Sequence, residues 1–234
     1  MMDRRRFLLA VPAALAGCVA VGGVAGPPAA APVFRVGDRW VYNCADGFRV
    51  KVLWVETHDV VAVDALGLDV RVTIVGETMN YARVERLLSP GVVGSGEVYD
   101  NTETRDFRPP LVRYQFPLTS GATWTQNLGN LDPANQLVSQ INRFVKVGGY
   151  ETVTTPAGTF NAVVLRILMS VDDNNPFRFP TNCNYVVWWS EQAGAMVRET
   201  KYATYRERGD SREAVEIRAQ NTTMELASYT RGRA

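Results

Sequence analysis

The chain has 234 residues, with 25 Lys plus Arg against 24 Asp plus Glu and one His, for a net charge of +1. That balance excludes a protein drawn onto nucleic acid by its charge, and no nucleic-acid partner is expected. Hydrophobic residues at 46% give ample core material for one large domain or two small ones.

The first segment reads as an address and not as part of the fold. Met1-Met2-Asp3-Arg4-Arg5-Arg6 is a basic patch, and Phe7-Leu8-Leu9-Ala10-Val11-Pro12-Ala13-Ala14-Leu15 follows without a charge, the n- and h-regions of a signal peptide. The apolar run continues to Gly26, but it is too rich in Ala, Gly and Pro for a membrane span of about 20 strongly apolar residues. Arg4-Arg5-Arg6-Phe7-Leu8 resembles the twin-arginine export signal. Leu15-Ala16-Gly17-Cys18 resembles the lipobox of bacterial lipoproteins. The resemblance implies a diacylglyceryl group on the Cys18 thiol, cleavage before Cys18 and fatty acylation, such as palmitate, of the new N-terminus. Several acyl chains hold a protein on a membrane firmly where one binds marginally. Val19 rather than Asp after the Cys implies, by the same resemblance, the outer membrane facing the periplasm. Residues 1–17 are therefore expected to be a signal peptide. Residues 18–33, small and Pro/Gly-rich, are expected to be the lipidated Cys and a flexible tether, and 34–234 a single β-rich domain.

From Phe34 the period is two. Trp40, Tyr42 and Cys44 share one strand face, Asp46-Gly47 signals a tight turn, and Phe48 to Val55 completes a hairpin. Strands are predicted at Val60 to Asp64 and Leu68 to Val75, while Tyr81 to Leu88 reads as either strand or short helix. Ser89-Pro90-Gly91 and Gly94-Ser95-Gly96 are turn chemistry, Arg108-Pro109-Pro110 reads as extended or edge, and Asp132 to Gln140 lacks a period. Tyr150 to Thr155 and Phe160 to Val171 are strands joined by Pro156-Ala157-Gly158-Thr159. Asn184 to Ser190, Ala195 to Glu207 and Glu213 to Tyr229 follow. Val36-Gly37-Asp38-Arg39-Trp40 opens the first strand set and Ser120-Gly121-Ala122-Thr123-Trp124 opens a second, a faint echo resting on one shared Gly-x-x-Trp. Roughly ten to twelve strands with short turns and no βαβ spacing predict an all-β antiparallel sandwich or curved open barrel. Pro156-Ala157-Gly158-Thr159-Phe160-Asn161-Ala162, with Trp188-Trp189-Ser190 and Gly194, resembles uncharacterised bacterial envelope families. That resemblance covers the last half of the chain and implies a β-rich periplasmic domain with no known activity.

Catalytic chemistry is thin. His58 is the single imidazole, and its setting Glu56-Thr57-His58-Asp59 reads as an exposed turn between strands. Gly94-Ser95-Gly96 is too short for a nucleophile elbow. Asp172-Asp173-Asn174-Asn175 offers oxygen ligands but lacks the later Gly and Glu of an EF-hand loop, so neither a metal nor another cofactor is expected. With Cys18 lipidated, Cys44 and Cys183 remain as two thiols in an oxidising compartment. A Cys44–Cys183 disulfide is expected, closing a loop of about 140 residues worth about 3–5 kcal/mol; the alternative is two buried thiols. Trp188 and Trp189 are strand neighbours and point to opposite faces, so one could line a ligand site. The expected function is non-catalytic: a cell-envelope lipoprotein anchored to the membrane at Cys18 that binds an apolar ligand, an envelope polymer or a protein partner. The alternatives are a hydrolase using carboxylates such as Asp172 or Glu191, and a structural or assembly accessory.

Overall fold

The computed structural model describes residues 23–48, 53–98, 104–131, 136–172, 175–208 and 215–233. The export segment with Cys18, and Asp173-Asn174 of the Asp172–Asn175 stretch, lie outside the described residues.

Twelve strands are present among the described residues. The first six are β1 (Arg39–Asp46), β2 (Leu53–Asp64), β3 (Gly67–Gly76), β4 (Asn80–Ser89), β5 (Val92–Gly96) and β6 (Arg105–Val112). The second six are β7 (Thr123–Leu131), β8 (Val138–Thr155), β9 (Gly158–Asp172), β10 (Thr181–Ser190), β11 (Ala195–Arg206) and β12 (Glu216–Thr230). Each pairs antiparallel with its chain neighbours, so the expected all-β antiparallel barrel is present, and β12 returns to β1 from Arg39↔Thr230 to Asp46↔Thr222 and closes it. Closure removes the unpaired N–H and C=O rows that an open edge would present. Period-two alternation drives the inside and outside: Trp40, Tyr42 and Cys44 on β1, and Leu68, Val70, Val72 and Ile74 on β3, all face the core.

Outward, the strands carry paired charge. Arg86 bonds Asp64 and Asp69, Arg198 bonds Glu225, and Arg39 bonds Asp59. These pairs interrupt any apolar band of the kind a membrane barrel turns to lipid.

The echo between the two strand sets is structural. Gly37 (φ +89°) and Gly121 (φ +87°) open β1 and β7 in the same left-handed conformation. The Gly37 and Gly121 N–H groups donate to Val60 and Val147, and those residues donate back to Asp38 and Ala122, all four at 2.9 Å. The β2–β3 and β8–β9 turns match as well: Asp64 Oδ1 accepts the Leu66 N–H at 2.7 Å and Thr155 Oγ1 the Ala157 N–H at 3.2 Å, each before a positive-φ glycine, Gly67 or Gly158. The barrel is two six-strand halves, β1–β6 and β7–β12. The seams between halves differ. β6 meets β7 only at Asp106↔Leu131, Phe107↔Asn130 and Arg108↔Gly129, while β12 and β1 pair along their whole shared length.

Two expectations about the N-terminal half change. β2 runs unbroken through Glu56-Thr57-His58-Asp59 because the inward pair finds partners inside the barrel and outward Asp59 pairs with Arg39 on β1. The stretch read as a flexible tether lies on the wall from Val24. Val24 bridges Tyr150, and Ala29, 1% exposed, bridges Leu118. The small residues that suggested flexibility permit this approach, since a Cβ on Gly149 would collide with the Gly23 backbone.

Among the described residues the expected Cys44–Cys183 disulfide is not formed: both cysteines are buried and not joined to each other. Register explains why. Cys44 pairs with Met224, Met224 with Glu199 and Glu199 with Val187, so the β10 residue in line with Cys44 is Val187. Cys183 lies roughly 13 Å further along β10 and three strand spacings, roughly 14 Å, around the wall, where a disulfide needs Cα atoms within about 7 Å. In a Cys18→Ala chain, both thiols should resist a soluble thiol reagent in the native state and react fully in denaturant. Non-reducing peptide mapping that recovers Cys44 and Cys183 joined would contradict this register.

Candidate functional site

The barrel interior is where the sequence departs from an apolar filling. Alternation that turns Trp54 and Val60 inward on β2 also turns Glu56 and His58 inward; β4 sends in Arg83 and Glu85, and β11 sends in Glu199 and Lys201. Arg143 enters from β8, and Arg113 with Tyr114 from the segment after β6.

These groups form one network. Arg83 Nη2 donates to Glu97 Oε2 at 2.9 Å and approaches Glu56 Oε1 at 3.5 Å, while its Nε lies 3.3 Å from Glu85 Oε1. Arg113 Nη2 donates to Glu85 Oε2 at 2.9 Å, and Lys201 Nζ to Glu97 Oε1 at 2.8 Å, with Glu199 Oε2 at 3.6 Å. His58 Nε2 bonds Glu56 Oε1 at 2.8 Å and its ring stands edge-on to Tyr42, centroids 5.1 Å apart. Glu56 Oε2 is buried without a partner.

Burial opposes every charge here, and the partners decide the outcome. It would raise Glu56, but the His58 bond and the charges of His58, Arg83 and Lys201 hold the carboxyl down to about 2. Glu85 is likewise held well below the ordinary range by Arg113 and Arg83 despite burial. Lys201 stays above its ordinary value because Glu199 and Glu97 outweigh its desolvation. For Glu199 burial wins, and its carboxyl is raised although Lys201 pulls the other way. Arg143 forms no ion pair among the described residues: its guanidinium donates to the carbonyls of Val112 at 2.8 Å and Arg113 at 3.2 Å, and burial pushes it down to about 10 although Tyr114 and Glu199 pull the other way.

The network borders a cavity of about 90 Å³, and a second of about 100 Å³ adjoins it across His58, Glu85, Arg113, Tyr114 and Met196. The second is aromatic. Phe116 packs edge-on to Trp189 at 5.1 Å, and Phe34 to Trp40 at 5.9 Å. Tyr114 and Phe116 also border an outer groove of about 600 Å³ with Trp124 and Gln126, at the place where β6 and β7 part. The gap there is bridged by side chains: Gln126 bonds Pro110 and Val112, and Trp124 Nε1 bonds the Val112 carbonyl.

The sequence-predicted residues fall in different places. Trp189 is 2% exposed and faces the aromatic cavity, whereas Trp188 stands outside, donating to Glu151 Oε2 at 2.8 Å with the Arg198 guanidinium over its ring. Asp172 ends β9 at one rim, and Glu191 sits in the β10–β11 turn at the other, accepting the Ala30 N–H, so the two carboxylates are not brought together. Cys44 and Cys183 face the core and are not joined to each other; the Cys44 thiol donates to the Tyr42 carbonyl at 3.8 Å. His58 is in mid-strand, half-buried and bonded to a carboxylate, not at an exposed turn. Among the described residues no Ser or Thr hydroxyl bonds its ring, so a triad does not form. Sequence reasoning passed over Arg83, Glu85, Arg113, Arg143, Glu199 and Lys201. The available signal was β4, where charges take the inward positions and Val84 the outward one.

No protein-family model matches the chain, and no curated protein matches it. Two solved structures share the barrel. A Bacteroides fragilis protein named as an exported protein with a YmcC-like fold is 14% identical with a TM-score of 0.50, over 88% of this chain and 100% of its own. A Parabacteroides distasonis protein named as a lipoprotein is 12% identical with a TM-score of 0.52, over 84% of this chain and 96% of its own. At those identities the likeness carries the fold alone.

The carboxyl shifts make the barrel acid-labile. Glu56 and Glu85 lie below the ordinary 4.5 in the folded state, so their stabilisation is complete above that value and fades as pH falls toward about 2. Glu199, raised, acts with the opposite sign and loses its contribution as pH rises through its folded value. The thermal midpoint followed by circular dichroism should fall between about pH 5 and pH 3, and Glu85→Gln should flatten the slope. A midpoint level across that window would show that Glu56 and Glu85 are not held ionised inside the barrel.

Proposed function

We propose that the protein is an exported, lipid-anchored envelope protein whose closed barrel binds a ligand inside and carries out no reaction on it. The observation that carries this reading is the interior itself: a charged network and an aromatic pocket meeting at one pair of adjoining cavities, with each in-reach carboxylate committed to Arg, Lys or His. A hydrolase working through paired acids needs one proton donor and one free base or nucleophile. Glu56 and Glu85 are held ionised by their cations, and Asp172 and Glu191 lie at opposite rims.

Anchoring is supported by Leu15-Ala16-Gly17-Cys18 and by the kind of protein that shares the fold, one named as exported and one as a lipoprotein. Val24 is already fastened to Tyr150, so the chain from Cys18 to the wall spans at most about 20 Å. The barrel is therefore held close to the bilayer on a short leash. Its aromatic cavity lies at the rim where Pro32 and Phe34 pass.

Metabolic labelling with radioactive palmitate should mark the wild-type chain and leave Cys18→Ala unlabelled, with the variant moving from the membrane pellet to the soluble fraction. A Cys18→Ala chain with its signal removed that still pellets with membranes would refute the anchor.

A further inference from the structure

We infer that the barrel interior is a site for a small amphiphilic carboxylate, its acid group on Arg143 and its short apolar body in the aromatic cavity that Phe116 and Trp189 line together. The inference rests on the reading of the barrel as a binding protein and names the class of its ligand.

Charge accounting carries the first half. Four carboxylates and four cations border the network, and Glu56, Glu85, Glu97 and Glu199 are all engaged by Arg83, Arg113, Lys201 or His58. Arg143, 5% exposed, is left with two backbone carbonyls for a group that carries five donors. Buried charges are ordinarily paired, because an uncompensated one loses its hydration without return. Burial weakens this guanidinium's hold on its proton, though not enough to discharge it at neutral pH. An arriving carboxylate would supply what Arg143 lacks, in the planar two-bond geometry that guanidinium favours.

Shape carries the second half. The cavity at Arg143 and the aromatic one share Tyr114 and Met196 as lining, so a ligand that displaces those side chains slightly spans both. At about 90 and 100 Å³ the pair is far smaller than the usual about 300–1,000 Å³ drug-sized site, which rules out a long acyl chain and suits an acid carrying a single ring or a short branch. The β6–β7 gap, flanked by Tyr114 and Phe116, offers a side route from the outer groove.

The test is isothermal titration of the full-length Cys18→Ala chain with 3-phenylpropanoate, its neutral amide and the corresponding amine. The carboxylate should bind at least roughly tenfold more tightly than either, and Arg143→Gln should remove that preference. Because Arg143 also holds two carbonyls, Met196→Trp provides an independent check: it fills the junction of the cavities without touching those bonds, and should abolish binding while thermal melting stays cooperative. Equal affinity for acid and amide, lost in Met196→Trp, would overturn the carboxylate assignment and leave the binding reading intact. Carboxylate binding that survives both variants would place the site elsewhere and overturn the inference. No heat from any probe would overturn both the inference and the binding reading, leaving the anchor to its own labelling experiment.

Discussion

Arg83 is the group around which the interior is organised. One guanidinium on β4 reaches Glu56 on β2, Glu85 on its own strand and Glu97 beyond β5, and through Glu97 it is tied to Lys201 on β11. Such a network is tolerable in a dry interior only if its members satisfy one another, because each charge removed from water costs several kcal/mol that only close partners offset. The barrel therefore cannot be closed with the register of β2, β4 or β11 shifted by one residue: that strand's members would turn to the outer face, and their partners would be left buried alone. A network of this kind contributes less to net stability than to holding one arrangement of strands, and among the described residues one of its buried oxygens, Glu56 Oε2, has no partner.

The repeated halves explain where the barrel is continuous and where it is loose. β1–β6 and β7–β12 begin with the same glycine conformation and the same reciprocal hydrogen bonds. A two-fold arrangement of this kind has two seams. One, β12 to β1, is a full ladder; the other, β6 to β7, has three residue pairs and is completed by Gln126, Trp124 and Arg143 bonding to bare carbonyls. The looser seam lies beside both cavities and the outer groove. Arg143 thus has two settings at once, as a pin for the β6 edge and as the guanidinium that looks into the interior.

How far the sequence could be read follows from the length scale of each feature. Strand faces and turns depend on neighbours within a few residues, and Trp40-Val41-Tyr42-Asn43-Cys44 or Thr155-Pro156-Ala157-Gly158 announce them directly. Four polar residues in a row around His58 look like a turn unless β4, two strands away, is known to supply Arg83 as the partner of Glu56. The docked stretch from Val24 was misread for a related reason: small residues signal freedom when isolated and close contact when a wall is beside them. The Trp188-Trp189 alternation was legible, but which ring faces inward depends on the strand's place in the closed sheet.

By itself the sequence determined an all-β chain of about a dozen antiparallel strands, the two opposite faces of each strand and the lipobox-like segment that suggests an anchor, because these follow from local alternation and from residues close together in the chain. Tertiary structure alone decided that the sheet closes, that Cys44 and Cys183 are too far apart to join, and that charges from β2, β4, β8 and β11 meet in one interior. Those outcomes depend on register between strands far apart in sequence, where a one-residue slip reverses every face, and no local pattern carries that information.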